Sequence, residues 1–116
     1  MKLTHSQITD VIITALEGGS NYWYLLNTEL KGSKELSLSE TIAKEVLENK
    51  GEVKVYDIED PEELLGILSK EFIKKGLETA QEESNWLLEQ VKDETYDADA
   101  ADALFQYFVM NEIVFG

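Results

Sequence analysis

The residue types that carry most enzymatic catalysis are scarce in this 116-residue chain and are not spaced for it. His5 is the only histidine, and it lies in a polar segment where no apolar pattern would hold its imidazole ring. A Ser-His-acid or Cys-His nucleophile needs a histidine that is held in place, and the chain has no cysteine. One histidine without cysteine also leaves too few ligands for zinc. We therefore expect no catalytic residues, no enzymatic activity and no cofactor.

Two further patterns match ligand sites only in part. Asp97, Asp99 and Asp102 begin with the spacing of a calcium loop, but Ala101 stands where the third oxygen ligand belongs. Aspartates that cap a helix and complement its dipole explain this spacing better. The segment 18–20, Gly-Gly-Ser, follows a predicted helix instead of opening one, and it lacks the lysine of a phosphate-binding loop. We expect neither a metal site nor a phosphate cradle.

The aromatic run Tyr22-Trp23-Tyr24 can serve either packing or binding. On a strand, Tyr22 and Tyr24 share one face and Trp23 takes the other. One face is expected to be core and the other to expose one or two aromatics, which are suited to anchor a protein interface or a ligand pocket. The alternative is ordinary packing against helices.

Acidic residues are the strongest signal in the chain. There are 24 Asp and Glu against ten basic residues, all of them lysine, which gives a net charge of −14. Lys92 is the only basic residue in a stretch with nine acids, which are Glu78, Glu82, Glu83, Glu89, Asp93, Glu94, Asp97, Asp99 and Asp102. Like charges four residues apart repel each other in a helix. Selection for helix stability alone would more often interleave lysines with these acids.

This charge excludes some partners and favours others. A face that binds nucleic acid is basic and carries arginine, so DNA, RNA and anionic membranes are not expected to bind directly. A basic protein is the natural electrostatic partner of a chain with this charge. The alternative is that the acidity only keeps a small protein soluble.

The elements that must position these residues follow from local patterns. A capping box at Thr4 predicts a helix over Ser6–Glu17, and a second box at Ser37 predicts a helix over Ser37–Asn49. The segments 21–26 and 52–58 read as strands. Aspartates in its first turn predict a last helix from Asp97 toward Glu112.

The segment 60–63, Asp-Pro-Glu-Glu, gives the strongest local signal for the start of a helix, with Asp60 as the cap and Pro61 at the first position. That helix is predicted to bury six apolar side chains, Leu64, Leu65, Ile67, Leu68, Phe72 and Ile73. Gly76 either ends that helix or only weakens it, since a helical pattern of apolar residues continues beyond it with Leu77, Ala80, Trp86, Leu87, Leu88 and Val91. A break between Ser84 and Trp86 is an open alternative. Residues 1–116 are expected to form one helix-rich α+β domain with a small antiparallel sheet.

Two stretches of the chain resemble known sequences. The segment 8–24, with Ala-Leu-Glu-Gly-Gly-Ser-Asn-Tyr-Trp at 15–23, is similar to the opening of small uncharacterised acidic proteins of bacteriophages. The segment 97–116, with Asp-Ala-Asp-Ala-Ala-Asp-Ala and the ending Glu-Ile-Val-Phe-Gly, is similar to their close. The resemblance implies a phage setting in the cytoplasm of an infected bacterium. Small acidic proteins there often inhibit host defence, and several anti-CRISPR proteins mimic DNA.

The sequence therefore predicts a phage inhibitor of anti-CRISPR type that binds a basic nucleic-acid-binding protein, such as a CRISPR effector. The predicted partner-binding residues are the nine acids and the three aromatics of the run, namely Glu78, Glu82, Glu83, Glu89, Asp93, Glu94, Asp97, Asp99, Asp102, Tyr22, Trp23 and Tyr24. Two alternatives stay open, a structural or homo-oligomeric phage protein and a small-ligand protein that binds a nucleotide.

Overall fold

The computed structural model describes residues 3–19 and 22–115. They contain four α-helices and a three-stranded antiparallel sheet. In chain order the elements are α1 His5–Thr14, β1 Tyr24–Asn27, α2 Leu38–Glu48, β2 Val53–Asp57, β3 Leu64–Leu68, α3 Lys70–Lys92 and α4 Ala98–Met110. A π-helical turn, Ala15–Gly19, continues α1. The predicted α+β class is confirmed.

Three helix starts lie where the sequence places them. Thr4 and Gln7 form a reciprocal capping box before α1, and Ser37 and Glu40 form another before α2. The Asp97 carboxylate accepts a hydrogen bond from the Ala100 amide at 2.9 Å and caps α4. Each cap satisfies an amide of the first turn that has no partner within the helix. These starts were predictable because the partners are three residues apart.

The sheet has the order β1-β2-β3, and both of its pairings are antiparallel. Tyr24 pairs with Asp57 across β1 and β2, and Val53 pairs with Leu68 across β2 and β3. The strands predicted over 21–26 and 52–58 correspond to β1 and β2. The first residue of the predicted strand, at position 21, lies outside the described residues.

The prediction of a helix beginning at Asp60 is wrong. The Glu63 amide donates to the Asp60 carbonyl at 2.9 Å, so residues 60–63 form a β-turn that joins β2 to β3. Asp at the first position and Pro at the second favour a β-turn as well as a helix start. The apolar run after this turn is a strand, because it finds a pairing partner in β2. Of the six side chains predicted to be buried, Leu64 and Phe72 are exposed.

Helix α3 begins at its N-cap Ser69, passes through Gly76 and is interrupted at Ser84, whose φ of −148° and ψ of 51° are not helical. The break that the sequence left open is therefore present. Trp86 follows it and is 56% exposed, although the sequence includes it in the apolar helical pattern. The core instead holds Leu87, Leu88 and the aromatic side chains of α4.

Candidate protein-interaction surface

Eight of the nine acids predicted to bind a partner are exposed, and together they are termed the acidic surface: Glu78, Glu82, Glu83, Glu89, Asp93, Glu94, Asp97 and Asp99. They follow α3 from its middle to its end and continue through the turn into the start of α4. Before the break at Ser84, Glu78 and Glu82 lie one turn apart on the same side of α3. The opposite side of α3 packs inward through Ala80 and Leu88.

Several of these acids lie where they oppose helix stability. Glu89 and Asp93 stand at the end of α3, where the helix dipole disfavours negative charge. Glu94 follows with a φ of 58°, a conformation that favours glycine. The Glu94 amide donates to the Val91 carbonyl at 3.1 Å, and the Thr95 amide donates to the Gln90 carbonyl at 2.9 Å. This hydrogen-bond pattern is a Schellman motif.

Trp86 lies within the acidic surface, and the sequence reasoning missed it as a binding residue. It is three residues before Glu89 and seven before Asp93, so these three side chains share one side of the second part of α3. The same spacing was visible in the sequence. The signal was misread because the apolar pattern around Trp86 also fitted an inward-facing side.

One member of the acidic surface is held by the core. The Tyr107 hydroxyl donates to Glu83 Oε1 at 3.3 Å and lies 2.9 Å from the Ser84 hydroxyl oxygen. Tyr107 is buried, so it fixes the position of α3 at its break. This hydrogen bond holds the carboxylate of Glu83 beside the break in α3.

The aromatic run is mostly core, which decides between its two interpretations. Trp23 is fully buried and packs against the rings of Phe105 and Phe115, with centroid distances of 5.9 and 5.2 Å. Tyr24 is buried and lies edge-on to Trp23. Only Tyr22 is exposed. Trp23 and Tyr24 therefore do not lie on an exposed binding face.

Asp102 is buried, in contrast to the exposed position predicted for it. Its carboxylate accepts hydrogen bonds from the Tyr22 hydroxyl at 2.7 Å, from Trp23 Nε1 at 2.7 Å and from Gln106 Nε2 at 3.1 Å. A buried carboxylate must be hydrogen-bonded, and these donors provide that. Asp102 joins the start of β1 to α4 and does not belong to the acidic surface.

The tyrosines near this carboxylate stay protonated at neutral pH. Burial raises the pKa of Tyr24 to about 12, and the nearby Asp102 charge acts in the same direction. Partial burial raises the pKa of Tyr22 to about 12, with further contributions from its hydrogen bond to Asp102 and from the Asp102 charge. Tyr22 therefore keeps its hydroxyl proton, which it donates to Asp102, up to alkaline pH.

Gln106 connects the Asp102 network to the C-terminal segment. Its Oε1 accepts hydrogen bonds from the amides of Val114 and Phe115, and its Nε2 also donates to the Phe115 carbonyl at 3.0 Å. Phe115 stacks on Trp23 with an interplanar angle of 14°. The polar residues Asp102 and Gln106 thus have a structural role that no local pattern in the sequence signals.

Within the described part of the chain, no group of three or more His, Cys, Asp and Glu side chains is arranged to hold a metal ion. Among the described residues, no helix has the length and apolar character to cross a membrane. His5 borders a groove of about 990 Å3 between α1 and α3. Three lysines and three glutamates line it as well, namely Lys50, Lys70, Lys74, Glu52, Glu71 and Glu78.

Comparisons with family models, with curated proteins and with solved structures found no match to this chain. Among the described residues, the acidic surface and Trp86 form the most distinctive exposed group.

Proposed function

We propose that this protein is a non-enzymatic inhibitor that binds a basic nucleic-acid-binding protein through the acidic surface, as a mimic of DNA. The observation that carries the proposal is the exposure of eight carboxylates in a stretch whose only cation is Lys92. A CRISPR effector in a bacterium infected by a phage is the first partner to test, which makes this an inhibitor of anti-CRISPR type.

The size and charge of the molecule suit a site built for duplex DNA. The fold measures 33 × 33 × 23 Å, and one turn of B-DNA is about 34 Å long and carries about 20 phosphates. The protein places a net charge of −14 in a similar length. Carboxylates pair with arginine and lysine in the geometries that phosphates use. Long-range attraction between opposite charges also accelerates association.

The unfavourable positions of several acids support a role in binding. Acids at the end of a helix cost about 0.3–1 kcal/mol each through the dipole, and the chain keeps Glu89 and Asp93 there. Glu78 and Glu82 repel each other at a spacing of four residues. A surface shaped only by stability would hold lysines at such positions, whereas a surface that meets a basic partner needs the acids.

Trp86 gives this surface a feature that phosphate mimicry alone does not require. Exposed tryptophan is among the residues that contribute most to interface affinity when a partner encloses them. A cationic side chain of the partner can also lie against the indole face. We infer that Trp86 enters a cleft between basic side chains and distinguishes the correct partner from other DNA-binding proteins.

The first experiment is a pull-down with the immobilised protein from a bacterial lysate that contains CRISPR effectors, eluted in steps of increasing salt. Capture of a nucleic-acid-binding protein that salt releases and duplex DNA displaces is the expected result. Binding between charged surfaces weakens as salt rises, and a mimic competes with the ligand that it imitates. No captured protein, or a captured protein indifferent to both salt and DNA, would contradict the proposal.

Charge-reversal variants test whether the acidic surface makes the contact. Glu82→Lys with Asp93→Lys should weaken binding to the captured protein at least about tenfold, since both carboxylates would meet basic groups. Glu29→Lys with Glu48→Lys is the matched control, because it makes the same change of charge at exposed positions elsewhere. Equal losses for the two pairs would show that only net charge matters.

Trp86→Ala separates recognition from general attraction. We expect at least about a tenfold loss of affinity with unchanged folding, because an exposed side chain supports an interface and not the core. Ile58→Ala, at another exposed apolar residue, is the control. If Trp86→Ala binds like the parent protein, the tryptophan lies outside the contact.

A further inference from the structure

Strand β3 forms one edge of the sheet, and no charged residue or proline within the strand keeps another strand away. Its pairing with β2 shifts register between Leu64 and Gly66, and the end of α4 packs against Gly66. The order β1-β2-β3 leaves one side of β3 without a neighbouring strand among the described residues. Its sequence, Leu-Leu-Gly-Ile-Leu, contains no charge and no proline. Soluble proteins usually protect an edge strand with lysine, proline or a covering segment, because its free amides and carbonyls can pair with another chain.

Apolar side chains extend the β3 edge into a surface. Leu64 is 48% exposed at the start of the strand, and Phe72 is 42% exposed in the first turns of α3. Beside them lies a hollow of about 310 Å3, bounded by β3, Phe72 and the end of α4 at Val109 and Met110. A hollow of this kind can receive an apolar side chain from a second strand.

The charges at the two ends of β3 are opposite in sign. Glu62 and Glu63 are exposed immediately before the strand. After the strand and Ser69, Lys70 is exposed and is followed by the exposed Glu71, and Lys75 borders the hollow. An edge that is acidic at one end and basic at the other complements itself when two copies meet in antiparallel orientation.

We propose that β3 pairs with β3 of a second copy of this chain, about a two-fold axis near Gly66, the middle residue of the strand. Pairing about that centre sets the start of each β3 against the end of the other, which brings the end with Glu62 and Glu63 near the partner's Lys70. A two-fold interface uses the same patch on both copies, and the opposite charges at the ends of β3 meet this requirement. The two sheets then join into one of six strands.

This inference goes beyond the proposed inhibition and uses a different surface. The acidic surface begins at Glu78 in α3, after the residues that border β3. A dimer would carry two acidic surfaces, so it could engage two partner molecules or two sites of one. Either function can fail while the other holds.

The test is sedimentation of the full chain over a concentration series, in a buffer of about 0.15 M salt. At that ionic strength the Debye length is about 8 Å, so the net repulsion between two chains of charge −14 is screened while direct contacts remain. We expect a reversible monomer–dimer equilibrium. A chain that stays monomeric throughout the series overturns the proposal.

Leu64→Lys tests whether the β3 edge of the sheet forms the dimer interface. A lysine at this exposed edge position should weaken dimerisation at least about tenfold. Leu25→Lys is the matched control, because Leu25 is 40% exposed on β1, at the opposite edge of the same sheet. A dimer that is lost with Leu25→Lys and kept with Leu64→Lys would assign the interface to the other edge and contradict the proposal.

Complementary charge variants test the antiparallel orientation. Glu62→Lys alone places two cations together at each end of the interface, and Lys70→Glu alone places two anions there. Each variant should dimerise more weakly than the parent protein, and an equimolar mixture should form the heterodimer, because both of its ends regain opposite charges. If the mixture associates no better than the two variants apart, the two-fold arrangement is wrong.

Discussion

At the residue scale, Asp102 shows how one side chain can be placed wrongly by its neighbours in the sequence. It follows Asp97 and Asp99, which are exposed, and was grouped with them for that reason. In the fold, it meets hydroxyl and indole donors from Tyr22 and Trp23, which are 80 and 79 residues away in the chain. No local pattern contains that information, because the donors and the acceptor are brought together only by tertiary packing.

Replacing Asp102 by Asn should destabilise the protein by about 1–3 kcal/mol, the cost of leaving a buried polar group unsatisfied. The amide has one acceptor oxygen instead of two. With that oxygen on the Trp23 indole NH, its NH2 group would face Gln106 Nε2, which donates to the other carboxylate oxygen and can only donate. Urea unfolding, followed by circular dichroism, measures the change in free energy.

Asp99→Asn is the control for the loss of one negative charge in the same helix, because Asp99 is exposed in the first turn of α4. We expect it to cost a few tenths of a kcal/mol through the dipole alone. Similar free energies of unfolding for the two variants would show that the hydrogen bonds to Asp102 contribute little.

At the scale of elements, the sequence predicted the helix starts that depend on residues close in the chain. It did not predict strand β3, which depends on pairing with β2. The starts of α1, α2 and α4 were predicted because their caps are local. Asp60 and Pro61 also gave a true local signal, for a break in the chain, but helix starts and β-turns share these residues. The four apolar residues of β3, with Gly66 between them, fit a buried helix or a strand equally well. Only the pairing with β2 decides between them.

Gly76 has a role in the packing of α3 against α4 that the sequence does not indicate. It lies inside α3, where alanine would ordinarily stabilise a helix by about 1 kcal/mol. A Cβ at this position would overlap the backbone carbonyl of Tyr107 in α4. Gly76→Ala should therefore destabilise the protein by about 1–3 kcal/mol, since the two helices must move apart. Thermal unfolding measures the sign directly.

Gly18→Ala is the matched control for this substitution. A Cβ at Gly18 meets no atom within 4 Å, so alanine there should be neutral or stabilising by up to about 1 kcal/mol. Opposite signs at the two glycines would confirm that the close approach of α3 and α4 requires Gly76. A stabilising effect at Gly76 would show that the helices adjust without cost.

At the scale of the whole molecule, the sequence predicted the α+β class through its pattern of helices and strands. It also predicted the exposed acids from 78 to 99 as a group, since charged side chains seldom lose their contact with water. It did not separate Asp102 from that group or find Trp86, because both depend on which side of a helix meets the core. Fourteen net negative charges on 6795 Å2 of surface leave the folded state under self-repulsion.

That repulsion gives a final prediction. Raising sodium chloride from about 0.01 to 0.15 M shortens the Debye length from about 30 to 8 Å, so the melting temperature should rise.

Glu82→Lys with Asp93→Lys lowers the net negative charge by four units and removes two acids from the densest region. Its melting temperature should start higher at low salt and depend less on salt than that of the parent protein. Glu29→Lys with Glu48→Lys makes the same change in net charge, so a smaller effect there would locate the repulsion in the acidic surface. A melting temperature that falls with salt would mean that attractive pairs outweigh repulsion, and the acids would then need no partner to explain their positions.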